Sequence, residues 1–433
     1  MMNRRQAAQA ECTVGIVGFG TVGQAVARIL ESDLHPNLRL THICNRRIAN
    51  KKVDWVSSEV VWTDSFECLL RSPVDVVVEL IGGLSPARDW VKRALGAGKS
   101  VVTANKQLIA HEGAVLLGQA RDNGRQLLFE AAVAGGIPVL QGLRQGLAGD
   151  GLSGIQGILN GTCNYILTRM EAEAVSFEAA LTEAQELGFA EADPTEDIDG
   201  HDARAKLAIL IGVGLGRRVK VDDIPLTPIT GLNPIDFIYA SKLGHVVRQV
   251  ARAELVEETT ATRAGVQPAL VAEDSALGRV GGSQNIVVAE GHFGGETAFS
   301  GFGAGGGPTS VAVVSDLLTL QGGFSQASEG RLSIDTGPTP VSTEFVDRQY
   351  VRFTVSDRPG VIAKLADIFS KNRINVDAVL QEPGWPKAEL PFVMTLERCT
   401  TSAVRAALGE MEGLDFHMQP PFWLPILEKG DRS

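Results

Sequence analysis

The sequence predicts an α/β protein: a Rossmann-type doubly wound parallel sheet, a second α+β domain and a C-terminal ferredoxin-like module. Three patterns predict this class. A glycine-rich turn near residue 18 separates an apolar strand from an amphipathic helix, strand and helix patterns then alternate as far as residue 131, and a βαββαβ order follows residue 350. The chain should therefore bury several hydrophobic cores, each beside its own sheet.

The composition indicates a globular protein and narrows the class of its partners. The chain has 433 residues, 44% of them hydrophobic, and a formal net charge of -11. This acidic balance, without a basic block, argues against nucleic acid as a partner. No apolar run reaches the roughly 18 to 20 residues of a membrane span, and the N-terminal residues lack the apolar stretch of a signal peptide. A cytoplasmic protein that binds small molecules, with no membrane partner, is expected.

The glycine-rich turn follows the first strand and has GxGxxG spacing. In CTVGIVGFGTVGQAVARILES the first glycine allows a tight turn and the second lets the main chain approach a pyrophosphate. The third permits close packing of helix on strand, and the helix N-terminus favours phosphate charge. The turn therefore predicts a dinucleotide site, with these candidate contacts: Gly18, Phe19, Gly20, Thr21, Val22 and Gly23.

The next predicted strand, LRLTHIC, ends at Asn45, Arg46 and Arg47. An acid at this place would bind the ribose of NAD, whereas an arginine can pair with the 2′-phosphate of NADP. The sequence has arginines and no acid here, so NADP is the expected cofactor, and NAD is the second choice. The alternative is that Arg46 and Arg47 are solvated loop residues.

Alternating units continue to residue 131 and place polar side chains at strand ends. The predicted elements are, in order, helix 65–70, strand 75–81, helix 86–95, strand 100–103, a helix after Lys106 and strand 126–131. In doubly wound sheets, ligands bind beyond the carboxyl ends of the strands. The motifs ELIGG (79–83) and TANK (103–106) stand at such ends. Thr103 and Lys106 are therefore candidate ligand contacts, although an isolated lysine at a strand end is more often only solvated.

After Glu130 the run AAVAGGIPVLQGL predicts a hinge into a second domain. That domain is predicted to open with a strand-like segment, GIQGILNGTCNYIL, and to continue with a helix over 176–187 that Gly188 closes as its C′ residue. The acidic stretch EADPTEDIDGHDARAKLAIL (191–210) follows. Its spacing predicts a helix with Asp202 in the first turn and Lys206 one turn later on the same face. Taken alone, such a pair is more often a surface ion pair.

The rest of the chain predicts further elements of both domains and the C-terminal module. Residues 235–291 predict one or two helices and several short strands, among them QNIVVAEG. The run GFGAGGG (301–307) leads into Pro308 and a helix, PTSVAVVSDLLTL, that should return to complete the first domain. Residues 329–349 have the Pro, Ser, Thr and Gly content of a linker. Residues 350–427 then show the βαββαβ order.

A dinucleotide fold with a second domain indicates hydride transfer, which needs a proton donor for the developing oxyanion. The sequence has no YxxxK motif, and its five cysteines form no CxxC pair or histidine cluster that could bind zinc. Cys163 as a nucleophile is a minor alternative, because no histidine is near it in sequence. Lysines are the best remaining donors: Asp202 can position Lys206, and a carboxylate such as Glu191 suits a substrate with an ammonium group.

Six motifs, in this order and at these distances, resemble homoserine dehydrogenase: GFGTVG, ELIGG, TANK, NGTCNYIL, EADPTEDIDGHDARAKLAIL and GAGGGPTSVAVVSDL. The C-terminal module, with DRPG and INV, resembles an ACT domain. The resemblance covers nearly the whole chain and is to the monofunctional form, without a kinase region. It implies reversible NAD(P)H-dependent reduction of L-aspartate 4-semialdehyde to L-homoserine, a step of threonine, methionine and isoleucine biosynthesis.

The resemblance also implies roles for particular residues. Lys206 would be the proton donor, and Lys106 would be a second essential lysine near the nicotinamide. The candidate substrate contacts are Glu191, Asp202, Asp197 and Thr162. Beyond the glycine-rich turn, the candidate cofactor contacts are Arg46, Arg47, Thr103, Lys106, Gly188 and Gly303. A sodium ion, held largely by main-chain carbonyls, would lie at Glu130, Val133, Gly135 and Ile137.

The expected divisions of the chain are a dinucleotide-binding domain 1–134 completed by 303–328, a substrate-binding and dimerisation domain 135–302, a linker 329–349, and an ACT-like regulatory domain 350–427. ACT-like modules pair through sheet edges, so a homodimer or homotetramer is expected, with threonine as the expected amino acid effector. A module used only for assembly is the alternative. For the whole chain, the alternative to an enzyme is a catalytically silent protein that senses NAD(P) and an amino acid.

Overall fold

The computed structural model describes residues 11–256, 259–322 and 337–428. The described residues form two compact units that alternate along the chain. The first unit comprises 11–155, 205–223, 285–322 and 337–339, and the second comprises 156–204, 224–256, 259–284 and 340–428. This division differs from the predicted boundaries after residues 134 and 302, because parts of the predicted second domain make most of their contacts within the first unit.

The described residues form both strands and helices along the chain. The strands are β1 (Cys12–Val17), β2 (Leu38–Cys44), β3 (Val61–Thr63), β4 (Val76–Glu79), β5 (Ser100–Thr103), β6 (Leu127–Leu128), β7 (Leu152–Ile158), β8 (His245–Leu255), β9 (Thr262–Ala272), β10 (Gln284–Gly291), β11 (Gly295–Phe302), β12 (Val341–Ser342), β13 (Val346–Val355), β14 (Val376–Leu380), β15 (Leu390–Thr400) and β16 (His417–Leu427). The helices are α1 (Thr21–Leu30), α2 (Phe66–Arg71), α3 (Ala87–Gly96), α4 (Lys106–Asp122), α5 (Val139–Gln141), α6 (Gly161–Glu173), α7 (Phe177–Glu186), α8 (Thr195–Ile198), α9 (His201–Leu215), α10 (Pro234–Lys242), α11 (Gly306–Gln321), α12 (Val361–Lys371) and α13 (Thr401–Met411). Among these residues, every helix is too short or too polar to cross a membrane.

The first unit contains the predicted doubly wound sheet. Its strand order is β3-β2-β1-β4-β5-β6, and each neighbouring pair is parallel. This is the strand order of dinucleotide-binding folds. Strands β2 and β5 have the predicted bounds, whereas the short strand β3 was not predicted. Strand β6 is shorter than the predicted 126–131, because the chain turns into a 3₁₀ helix over Glu130–Ala132.

Apolar strand residues and two helices build the core beside this sheet. Valine and isoleucine side chains of β1, β4 and β5 pack with one face of α1 and with α11 in a single buried cluster: Val14, Ile16, Val76, Val78, Val102, Val26, Ala27, Val313 and Leu317. Burial of each such side chain contributes roughly 1.5–3 kcal/mol. Helix α11, which follows the glycine-rich run 301–307, thus packs in this cluster and lies in the first unit.

The run after Glu130 does not separate the two units. It forms the 3₁₀ turn, α5 and a π-helical turn over Gly142–Gly146, and the first unit continues to residue 155. Further along the chain, the same unit contains β10 and β11. The predicted strand QNIVVAEG coincides with β10.

The second unit corrects the prediction for GIQGILNGTCNYIL. Only the first part is a strand, β7, and the rest forms the start of α6. The side-chain oxygen of Asn160 accepts a hydrogen bond from the main-chain N–H of Cys163 at 2.8 Å, which caps the helix. The apolar residues of α6 then follow helical spacing and enter a core cluster: Cys163, Ile166, Leu167 and Met170. Helix α7 ends as predicted, with Gly188 beyond it at φ 76°.

The C-terminal module also lies in the second unit and has the predicted order β13-α12-β14-β15-α13-β16. Its strands lie in the order β16-β13-β15-β14 with antiparallel pairing, which is a ferredoxin-like sheet. Residues 329–336 of the predicted linker lie outside the described residues. The remainder is not a plain linker, because β12 pairs with β9 and β13 begins at Val346. Strand β16 pairs with β9 in parallel, through Ile426 with Leu270.

A buried ion pair joins this module to α10 within the second unit. The carboxylate of Asp236 lies 3.0 Å from Nε of Arg352, and it accepts hydrogen bonds from the hydroxyl of Tyr350 at 2.7 Å and the main-chain N–H of Asn233 at 2.8 Å. Burial raises the pKa of Asp236, and the Arg352 guanidinium opposes that rise. The guanidinium also donates to the main-chain oxygen of Gly231. The module is thus fixed to the rest of the second unit by buried charge as well as by strand pairing.

We predict that Arg352→Met lowers the free energy of unfolding of the second unit by about 3–5 kcal/mol, because Asp236 would stay buried without its counter-charge. The shift of the urea unfolding midpoint measures this effect. Lys371→Met, which removes an exposed pair with Asp367, is the control and should cost less than about 0.5 kcal/mol. Equal shifts of the unfolding midpoint in the two variants would show that the buried ion pair contributes little to the free energy of unfolding.

Candidate functional site

The glycine-rich turn has no room for a side chain at two of its three glycines. Gly18 has φ 101°, and a Cβ there would lie 2.8 Å from the main-chain oxygen of Leu80. A Cβ on Gly23 would overlap the main-chain oxygen of Gly18. At Gly20, by contrast, nothing lies within 4 Å of the place a Cβ would take. That open space directly precedes Thr21, the first residue of α1, where a pyrophosphate is expected.

Two of the predicted cofactor contacts have side chains turned toward the protein core. The ring of Phe19 is fully buried, with its centroid 4.9 Å from that of Trp62 and 6.1 Å from that of Trp55. Val22 packs against the same core. The main-chain N–H of Phe19 donates to the side-chain oxygen of Asn45 at 3.0 Å. Phe19 therefore shapes the turn, and only its main chain borders the open space.

Arg46 and Arg47 follow β2 and are both exposed. Arg47 has a left-handed conformation, with φ 61°, and the side chain of Asn45 donates to the main-chain oxygen of Arg46. Asn45 thus contacts both the glycine-rich turn and the arginine turn. The two guanidinium groups are accessible beside the first turn of the nucleotide fold.

The ends of β4 and β5 are joined by a buried carboxylate. Glu79 accepts from the hydroxyl of Thr103 at 2.6 Å and from two main-chain N–H groups of the turn after β4. The hydroxyl of Thr103 accepts from the main-chain N–H of Asn105, whose side chain caps α4 and donates to the main-chain oxygen of Gly83. Lys106 is the first residue of α4 and is half-buried. Glu79 and Asn105 therefore position the turn that carries Lys106.

A second buried acid lies in the loop after β6. The carboxylate of Glu130 accepts from the main-chain N–H groups of Leu140 at 2.8 Å and Gln141 at 2.9 Å, while its own N–H donates to Asp316. Burial raises the pKa of Glu130 to about 7 and that of Asp316 to about 8, and the half-buried guanidinium of Arg144 opposes both shifts. The loop therefore brings the Glu130 carboxylate near Asp316 of α11 and the Arg144 guanidinium.

The other predicted sodium ligands lie on the same buried loop. Val133 and Ile137 are buried, and Gly135 has φ 51°. A Cβ on Gly135 would lie 2.6 Å from the main-chain oxygen of Gly303, and a Cβ on Gly303 would overlap the side chain of Asn285. Across residues 11–256, 259–322 and 337–428, no cluster of three His, Cys, Asp or Glu side chains could hold a metal ion. A cation here would have to be bound by main-chain oxygens.

In the second unit, one asparagine joins two of the predicted substrate residues. The side-chain nitrogen of Asn160 donates to Asp197 at 2.6 Å and to Asp202 at 2.9 Å. Cys163 is fully buried, and its thiol donates to the main-chain oxygen of Asp197. Cys163 is therefore part of the helix core rather than an accessible nucleophile. Asn160 was not predicted as a site residue, although an Asn-Gly pair directly before a helix is the local signal for a capping side chain.

The remaining predicted residues of the second unit lie after α7. Thr162 donates through its hydroxyl to the main-chain oxygen of Phe189 at 2.8 Å. Gly188 has φ 76° with open space around the position of a Cβ, and the side chain of Glu191 is exposed. Asp193 accepts hydrogen bonds from the first residue of α8, which hold its pKa below the usual range. Asp193 therefore stabilises a turn, a role the sequence left open.

Helix α9 carries Asp202 and Lys206 one turn apart, as predicted, and both side chains are buried, with 3% and 9% of their surface exposed. A buried acid and a buried lysine are not a surface ion pair. The structure brings Asp197 and Asp202 together in the second unit, and it places both lysines, the glycine-rich turn and Gly303 in the first.

The Rossmann strand order and the open glycine-rich turn are typical of nicotinamide-dependent oxidoreductases. Comparison with known families narrows this class. Residues 18–130 match the NAD-binding domain of homoserine dehydrogenase, residues 138–318 match the homoserine dehydrogenase domain itself, and residues 349–415 match the ACT domain. The chain belongs to the homoserine dehydrogenase family.

Individual relatives extend over nearly the whole chain. The homoserine dehydrogenase of Synechocystis sp. is 36% identical over 96% of this chain and 99% of its own. A homoserine dehydrogenase structure from Thiobacillus denitrificans has a TM-score of 0.90 at 32% identity and covers 98% of this chain and 100% of its own. A hyperthermophilic archaeal homoserine dehydrogenase in complex with NADPH has a TM-score of 0.63 at 28% identity. The match covers 73% of this chain and 99% of the archaeal chain. These relatives favour the enzyme over the silent sensor.

We predict that Gly20→Ala weakens NADPH binding about tenfold or more without lowering the melting temperature. The backbone at Gly20 is extended, which alanine also adopts, but the added methyl group would occupy the open space that the pyrophosphate needs. Fluorescence titration with NADPH measures the change. Gly149→Ala adds a methyl group at another open, exposed glycine and is the control. Unchanged affinity in Gly20→Ala would place the pyrophosphate elsewhere.

Proposed function

We propose that the chain reduces L-aspartate 4-semialdehyde to L-homoserine, reversibly, with Lys206 as the proton donor. The observation that carries this proposal is a lysine buried on α9 one turn after a buried aspartate, in a member of this family. Oxidation of NADPH by the wild-type protein in the presence of aspartate semialdehyde is the test. A protein that bound NADPH but left it unoxidised would instead be the silent sensor.

The reaction needs a hydride and a proton, delivered to the two atoms of one carbonyl group. A bound nicotinamide would supply the hydride to the carbonyl carbon, which would leave the negative charge on the carbonyl oxygen. The ammonium of Lys206 stabilises the negative charge as it develops on oxygen and transfers one proton to it, which leaves the alcohol and a neutral amine. Because Lys206 is buried, water screens this interaction little. The amine then regains its proton from solvent.

Carboxylates of the second unit suit the ammonium group of the amino acid substrate. We assign Asp197, Asp202 and Glu191 to this role, with the hydroxyl of Thr162 as a further polar contact. The hydrogen bonds of Asn160 to Asp197 and Asp202 support the assignment, because they keep two acidic side chains adjacent. Charge-assisted hydrogen bonds from a substrate ammonium are about twice as strong as neutral ones.

Residues of the first unit suit the nicotinamide cofactor. We assign to it the turn Gly18–Gly23, through its main chain and Thr21, together with Thr103 and Lys106 at the end of β5, and we add Gly188 and Gly303 by family resemblance. The exposed guanidinium groups of Arg46 and Arg47 suit a 2′-phosphate, so NADP is the proposed preference. The archaeal relative with bound NADPH agrees with it. A higher kcat/KM with NADH than with NADPH would contradict it.

We also propose a sodium ion on main-chain oxygens of the buried loop: Glu130, Val133, Gly135 and Ile137. Two features support the fit. The side-chain oxygens of Glu130 already accept from main-chain N–H groups, and the positive charge would offset the two buried carboxylates described above. The ion would hold the loop in place and would take no part in proton transfer. A melting temperature that is unchanged when choline replaces sodium would count against it.

The ACT domain indicates regulation by an amino acid, and we propose threonine as the effector. We further propose a homodimer or homotetramer, because β14 is the outer strand of the module sheet in the described part of the chain. Threonine that changed neither the rate nor the melting temperature would contradict the first proposal. A monomer in sedimentation experiments would contradict the second.

We predict that Lys206→Met lowers kcat by about 10²–10⁴-fold while NADPH affinity stays within about twofold. Methionine keeps the length of the buried stem but cannot donate a proton. Stopped-flow reduction and fluorescence titration measure the two quantities. Lys220→Met removes an exposed lysine of the same unit and should leave both unchanged. Near-normal turnover in Lys206→Met would make the assigned role wrong.

A further inference from the structure

The side chain of Asn160 makes hydrogen bonds to three different elements. Its oxygen accepts from the main-chain N–H of Cys163 at 2.8 Å and caps α6. Its nitrogen donates to Asp197 on α8 at 2.6 Å and to Asp202 on α9 at 2.9 Å. A primary amide has two N–H groups, so each carboxylate can receive one of them. The start of α6, α8 and α9 therefore meet at a single amide.

The hydrogen bonds from Asn160 offset the electrostatic repulsion between the carboxylates of Asp197 and Asp202. Asn160 and Asp202 are 4% and 3% exposed, so water screens the charge of Asp202 poorly. Two carboxylates that bind the same nitrogen atom are close neighbours and repel each other, and the two N–H dipoles between them offset that repulsion. An amide is well suited to this position: it is neutral, it offers two donors, and it is fixed at its other end as a helix cap.

The geometry also limits how the two acids can move. Asp197 is held from two sides, because the thiol of Cys163 donates to its main-chain oxygen at 3.1 Å while Asn160 binds its carboxylate. Asp202 lies in the first turn of α9, the helix that continues to Lys206. A rotation of the Asn160 amide would remove one hydrogen bond from each of the two carboxylates.

We infer that Asn160 is a positioning residue, which holds Asp197 and Asp202 at a fixed separation and orientation so that they bind the substrate ammonium group as one acidic pair. The inference rests on the proposed function, because the ammonium group is that of aspartate semialdehyde or homoserine. It adds a residue that need not touch the substrate but sets the affinity for it.

The variant that separates this role from simple helix capping is Asn160→Ser. Serine is as good an N-cap as asparagine, so α6 keeps its cap, but its one hydroxyl cannot donate to both carboxylates. We expect KM for aspartate semialdehyde, and KM for homoserine in the reverse direction, to rise about tenfold or more. KM for NADPH should stay close to that of the wild type, whereas the melting temperature should fall, because a buried carboxylate loses a hydrogen-bond donor.

A second variant, Asn160→Asp, keeps size and capping but replaces both donors with a third negative charge. Its rise in KM for aspartate semialdehyde should exceed that of Asn160→Ser. Ser176→Ala is the matched control, because Ser176 caps α7 without a hydrogen bond to either acid. That control should lower the melting temperature and leave both KM values unchanged.

The outcomes distinguish the inference from the proposed function. No reduction of aspartate semialdehyde by the wild type would refute the proposed function itself. An active wild type with an unchanged KM in Asn160→Ser would overturn the positioning role and leave the reaction in place. Equal rises of KM for NADPH and for aspartate semialdehyde would also overturn it, because they would indicate a general distortion rather than a loss of the acidic pair.

Discussion

Buried carboxylates have to be matched by hydrogen-bond donors, and this requirement shapes both units of the protein. Without donors, each buried charge would cost several kcal/mol. In the first unit, Glu79 is matched by Thr103 and by the turn after β4. In the second, Asp202 is matched by Asn160. Each donor stands at the end of a strand or the start of a helix, so satisfying the acid also fixes the turn that carries the candidate site.

Much of the fold could be predicted from the sequence where a local pattern was sufficient. Strands β2, β5 and β10 are apolar runs bounded by turn residues, and their ends agree with the prediction. The prediction of a strand was wrong for the second half of GIQGILNGTCNYIL, which forms the start of α6. A short apolar run looks the same in sequence whether it forms a buried strand or a buried helix. The cap from Asn160 decides between them. The strands within 341–349 depend on pairing with β9 and β15, which composition does not reveal.

The candidate site was predictable to the same extent. The glycine-rich turn, Lys106, Asp202 and Lys206 stand in contiguous motifs whose spacing expresses a chemical need. Glu79, Asn105 and Asn160 were missed because their partners are distant in sequence: Thr103 is 24 residues from Glu79, and Asp202 is 42 residues from Asn160. Their role is to hold other side chains, and a single sequence shows the type of such a residue but not its contacts.

The parallel pairing of β16 with β9 makes the C-terminal module part of the sheet that contains β9. A chain truncated before Pro340 would leave one side of β9 without its partner at Leu270, and it would remove Arg352 and Tyr350, whose side chains contact the carboxylate of Asp236. Open sheet edges associate with other chains. Such a truncation would produce an aggregating protein rather than an unregulated enzyme. An effector signal at the module can therefore travel through the sheet that β16 shares with β9.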